Sequence, residues 1–148
     1  MSRYTRMYVV QCLSYNHFYV GSTCREMWGG HRPGGPRVDE HKSAYGCKFT
    51  QRYGFGRVLF VCFIHPNKCS QLESDLTRVL MHRYGIECVR GGDYTNMRKD
   101  CMERKFWMPL EFQNDPLRPG LLPESRYPDD LRRLVLQFDT ALHLKGKR

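Results

Sequence analysis

The plainest pattern lies at the start of the chain, where β-rich, largely apolar runs over 7–13 and 18–23 flank the polar stretch Ser14-Tyr15-Asn16-His17. β-Branched and aromatic residues dominate both runs, and the four turn-forming positions suit a hairpin loop, so the pattern predicts two antiparallel neighbours. The next stretch, CREMWGGHRPGGPR, has four glycines and two prolines and reads as a loop. Pro36 fits the first turn of a helix, where its missing N–H costs nothing, and Gly46 fits the end. Residues 36–45 are therefore a short helical candidate, with Arg37 and His41 sharing a face.

Residues 57–64, RVLFVCFI, form a continuous apolar run that predicts a buried central strand stopped by Pro66. From Ser70, the stripe Leu72, Leu76, Val79 and Leu80 predicts a helix to about Tyr84, closed by Gly85. ECVRGGDYTNM reads as a short extended piece with a Gly-Gly turn. Five prolines between Pro109 and Pro128 then interrupt any period. A boundary near residue 100 is expected, dividing 1–100, a small α/β domain, from 101–148, a Pro-rich connector and a C-terminal amphipathic helix. That helix, over 128–143, lines up Leu131, Leu134, Val135, Phe138 and Leu142. Its stripe can pack on the first unit, form a homodimer contact or bind a protein partner. The expected fold is α/β, with a central antiparallel sheet of about three strands flanked by helices, plus the C-terminal helix.

Composition narrows the function. A chain of 148 residues supports one core. Lys and Arg number 24 against 15 Asp and Glu, a net charge of +9 with pI near 9.4, and the cations are spread along the chain. A polyanionic partner is the first expectation. No apolar run approaches the roughly 20 residues of a membrane span, so a soluble protein without membrane contact is expected. The seven cysteines are odd in number and offer no C-x2-C pair, and the N-terminus lacks a leader pattern. A disulfide framework and a structural zinc site are both disfavoured, and an intracellular location, cytoplasmic or nuclear, is expected.

Two phenols on the hairpin, Tyr8 and Tyr19, join Arg37, His41 and the helix carboxylate Glu73 as candidates for chemistry. Hydrolysis of a phosphodiester needs an activated water, a proton acceptor, positive charge against the crowded phosphate and stabilisation of the leaving oxygen. This set supplies those groups. Taken singly, each has a plainer reading. Tyrosine is a good strand residue, and Ser70-Gln71-Leu72-Glu73 fits a capping box in which Glu73 only satisfies a helix start.

In order and spacing the chain resembles the GIY-YIG nuclease family over about residues 7 to 97. The first motif is degenerate, Met7-Tyr8-Val9. The second is Tyr19-Val20-Gly21, and Arg37 to His41, RVDEH, matches the family's helical arginine and histidine, while LESDL carries the glutamate. The resemblance implies a metal-dependent endonuclease acting on DNA, with one Mg2+ or Mn2+ on Glu73 and Arg37 against the phosphate. Tyr8 would be the candidate for activating the water, Tyr19 and His41 would orient the phosphate, the water or the base, and Asn96 would stand for the family's asparagine. The stretch from Tyr19 to Arg37 is longer than the family pattern, so Gly29 to Pro36 reads as an insertion, and Arg25 or Arg32 is the alternative catalytic arginine. Otherwise Arg25 and Arg32 are expected on DNA backbone, as are Lys48, Arg52 and Arg57, which are interleaved with Phe49, Tyr53 and Phe55. Repair, recombination or genome processing is the implied setting. The alternatives are a catalytically silent nucleic-acid-binding module and an interaction subunit.

Overall fold

The computed structural model describes residues 5–23, 47–92, 94–95, 97–98, 101–102 and 124–146. Strand β1, Thr5–Cys12, and strand β2, Phe18–Thr23, form the expected hairpin, pairing Tyr8 with Gly21 and Val10 with Tyr19. The loop closes when the Cys12 N–H donates to the His17 carbonyl and the Tyr15 N–H donates to the Cys12 carbonyl. Tyr15 takes a positive φ of 66° there.

A six-residue helix absent from the sequence expectation, α1, Lys48–Tyr53, precedes β3, Phe55–Ile64. Helix α2, Pro66–Tyr84, then begins earlier than the apolar stripe suggested. Pro66 does not merely stop the strand but opens the helix, and the His65 ring accepts from the Asn67 N–H as its cap. Gly85 ends α2 at φ 106°, with its N–H donating to the Met81 carbonyl. A 3-10 turn, Ile86–Cys88, leads into β4, Val89–Gly91. Helix α3, Asp129–Gly146, closes the described chain. The helix expected over 36–45 lies outside the described residues.

The sheet has four strands in the order β3-β1-β2-β4, and it is mixed. The expectation of about three antiparallel strands is corrected by β4, which runs parallel to β2 with Phe18 beside Val89 and Val20 beside Gly91. The connection from β2 to β4 passes through α2, the crossover that parallel pairing requires. The position of β3 is also corrected, from centre to edge. Nor is it buried throughout: Val58 and Leu59 are buried on opposite faces, most of the run is half-buried and Phe63 is exposed.

One face of the sheet meets the helices. Met7, Val9, Phe18, Val20, Leu59 and Val89 pack with Leu72, Leu76, Val79 and Leu80 of α2 and with Leu131, Leu134, Val135 and Phe138 of α3. The C-terminal stripe therefore packs in cis, on the same core as the sheet. Phe138 meets Phe18 edge-on at 5.3 Å between ring centroids. Surface ion pairs from Lys68 to Asp130 at 3.2 Å and from Arg83 to Asp139 at 2.7 Å tie α2 to α3. Exposed pairs of this kind contribute little beside the apolar contact.

If α3 is part of the core, removing its central ring must destabilise the whole unit. Phe138→Ala is expected to cost about 3–5 kcal/mol in a single cooperative urea transition. An unchanged midpoint, or loss of α3 helicity alone, would show that the helix is an appendage.

Candidate nucleic-acid site

The other face of the sheet carries the phenols. Residues directly opposite in an antiparallel pair share a face, as do residues two apart on one strand. The register therefore puts Tyr8, Val10 and Tyr19 together, and they cluster with Phe55, Val58 and Val61. Tyr8 is fully buried and Tyr19 half-buried, so Tyr19 is the phenol a ligand can touch. Both rings converge on Gly21. A β-carbon there would lie 2.5 Å from the Tyr8 Oη and 2.9 Å from the Tyr19 Cε2, closer than packed atoms allow. The glycine after Tyr19-Val20 is thus the seat of both rings.

Glu73 stands half-buried on α2. One turn earlier, the Cys69 thiol hydrogen-bonds with Ser22 of β2, and its pKa is pushed up chiefly by burial, with the Glu73 carboxylate adding to the rise and Ser22 opposing it. One residue later, Ser74 packs so closely on Gly92 that a β-carbon there would lie 2.6 Å from its Oγ. Glu73 is therefore held beside the end of β2 that follows Tyr19. Since α2 begins at Pro66 and is capped by His65, Ser70 lies within the helix and the capping-box reading of Glu73 is excluded. Among the described residues no group of three or more His, Cys, Asp or Glu is gathered in the manner of a metal cluster. A single carboxylate suits Mg2+, which keeps several waters and is bound through one or two carboxylates.

Arg90, which the sequence reading passed over, is in register with Tyr19 on β4. It is buried, and its guanidinium donates to the Ile86 and Val89 carbonyls and lies 6.0 Å over the Phe49 ring. Burial lowers its pKa, while Tyr53 and Glu87 act in the opposite sense. Beside it, His17 stacks on Tyr53 with centroids 3.8 Å apart and planes 15° from parallel. His17, read from the sequence as a loop residue, is fixed by a 2.6 Å hydrogen bond between its Nδ1 and the Ser14 hydroxyl. Burial and the nearby Arg52 lower its pKa and favour the neutral ring. The one local signal is the i, i+4 spacing of Phe49 and Tyr53; His17 and Arg90 reach them only through the hairpin turn and β4.

The expected DNA-contacting cations divide. Lys48 and Arg52 are exposed on α1, with Arg52 5.5 Å over the Tyr53 ring. Arg57 alternates with Val58 and so faces away from the phenols, and its Nε donates to the Gln11 Oε1 at 2.9 Å. Arg25, Arg32, Arg37, His41 and Asn96 lie outside the described residues. No protein-family model matches the chain, and no match is found among curated proteins or solved structures.

Two outcomes test this face. Gly21→Ala is expected to destabilise by about 1–3 kcal/mol through forced movement of the rings, read as a lower urea midpoint; an unshifted midpoint would mean the phenols do not rest on Gly21. Cys12, buried on the phenol face, has its pKa raised to about 12, by burial first and Cys47 second, and burial with Cys69 raises Cys62 to about 11. An unfolded thiol ionises at about 8.5, so the folded chain holds these protons when the unfolded chain has lost them. Their contribution to stability is complete below about pH 8.5 and falls as pH rises toward the folded values. Urea midpoints taken from about pH 8 to 11 are expected to fall more steeply for the wild type than for Cys12→Ala, and parallel curves would contradict this.

Proposed function

We propose that the chain is a metal-dependent endonuclease that hydrolyses DNA phosphodiester bonds. The observation that carries this reading is the convergence of Tyr8 and Tyr19 on Gly21, with α2, which carries Glu73, packed on the opposite face of the sheet near the adjoining Ser22. The GIY-YIG resemblance supplies the order of the parts, and the net charge of +9 suits a polyanionic substrate. DNA repair, recombination or genome processing is the setting we favour.

In this reading Glu73 would hold one Mg2+ or Mn2+. Such an ion polarises a phosphoryl oxygen and lowers the pKa of a bound water. Tyr19, the accessible phenol, donates to a phosphate oxygen and fixes the strand. Tyr8, fully buried beside it, supports the Tyr19 ring over Gly21. Arg37 and His41 are assigned to phosphate charge and proton handling on their motif alone, and Asn96 likewise to positioning.

A catalytically silent nucleic-acid-binding module is the second reading, and the complete burial of Tyr8 favours it, because a sealed phenol cannot meet a phosphate. Cleavage separates the two. Labelled duplex, flap and four-way-junction DNA would be incubated with Mg2+, Mn2+ or EDTA. The wild type is expected to cut only with metal, and Glu73→Gln to lose about a hundredfold or more in rate while remaining folded and bound to DNA. Salt-sensitive binding without cutting in any condition would favour the silent module.

A further inference from the structure

The hairpin turn, α1 and the segment around β4 line an open cavity of 380 Å3, its walls including His17, Phe49, Arg52, Tyr53, Glu87 and Arg90, the last in register with Tyr19. Small-molecule sites span roughly 300–1,000 Å3, so this one is of a size for a single nucleotide rather than a duplex. Its walls combine two kinds of surface. His17, Phe49 and Tyr53 form one aromatic cluster, with Phe49 and Tyr53 at 4.9 Å and His17 and Phe49 at 6.0 Å between centroids. The Ser14 hydroxyl holds the His17 ring in place, so the cluster is arranged before any ligand arrives. Arg52 and Arg90 bring two positive charges and Glu87 one negative, a balance that suits the single charge of a phosphodiester.

Aromatic faces bind bases with little regard to sequence, and neighbouring arginine supplies both stacking and phosphate attraction. We propose that this cavity is a subsite for one unpaired nucleotide, its base against the aromatic cluster of His17, Phe49 and Tyr53 and its phosphate on Arg52. The proposal rests on the nucleic-acid reading above and deepens it, because Arg90 and Tyr19 are neighbours in register and the subsite adjoins the phenols. The chain then selects DNA that has a base free of its partner beside the duplex. The same chemistry would also admit a free nucleotide, and the test separates the two sources.

The measurement is made in EDTA, so that no cutting intervenes. A duplex with a short single-stranded flap carries 2-aminopurine at its first unpaired position, and a blunt duplex carries it paired. Stacking on the cluster is expected to quench the flap probe and to make the flap bind about tenfold tighter than the blunt duplex. Arg52→Gln, an exposed position, and Tyr53→Leu should each remove most of that preference. If AMP alone binds and the flap shows no quench or preference, the occupant is the free nucleotide. Equal flap and blunt affinity with no quench and no AMP binding overturns the proposal, as does a preference that Arg52→Gln leaves intact. Metal-dependent cutting without the quench defeats the subsite alone, and the quench without cutting defeats the nuclease reading alone.

Discussion

The structure turns on β1 being buried on both faces. Every residue from Met7 to Cys12 is buried. Met7 and Val9 meet the helices, while Tyr8 and Val10 meet the opposite cluster. A strand has a side-chain period of two, so slipping β1 by one residue would drive Tyr8 into the helical core and Met7 out of it. The pairing with β2 is restricted further, because Tyr8 must meet the one position where a β-carbon is missing, Gly21. Core packing and phenol placement are thus set by a single register.

On its other side, β1 tolerates irregularity. The pairing with β3 shifts between Val9 and Val10, and Leu59 and Phe60 both reach the helical core although they are adjacent. This bulge lets β3 feed two large residues to α2 and α3 while Val58 and Val61 still support the phenols. The apolar run 57–64 has no simple alternation for this reason, and an edge strand could pass for a central one.

What was legible in the sequence was local. The hairpin, two β-rich runs around a polar turn, and the stripes of α2 and α3 are all written into contiguous residues. The parallel partner of β4 was not, since three residues joined across a whole helix carry no period of their own. Helix α1 was hidden for a related reason: six residues with only Phe49 and Thr50 buried give no stripe. Pro66 misled because proline stops a strand and opens a helix by the same missing N–H. Among site residues, Tyr8, Tyr19 and Glu73 stood out by type and spacing. His17 and Arg90 acquired their surroundings only when the hairpin turn, α1 and β4 came together.

The shortness of β4 gives this arrangement its consequence. It pairs with β2 only as far as Val20 and Gly91, where Gly91 has φ 150° and leaves no room for a β-carbon against the Val20 carbonyl oxygen, 2.3 Å away. Gly91 and Gly92 then rest on Thr77 and Ser74 of α2. The helix is thereby drawn against the point where β4 pairing stops, and Glu73, the residue before Ser74, comes to the end of β2 beyond that pairing. Two glycines at the end of a three-residue strand therefore set how closely α2 lies against the sheet, on the face opposite the phenol cluster.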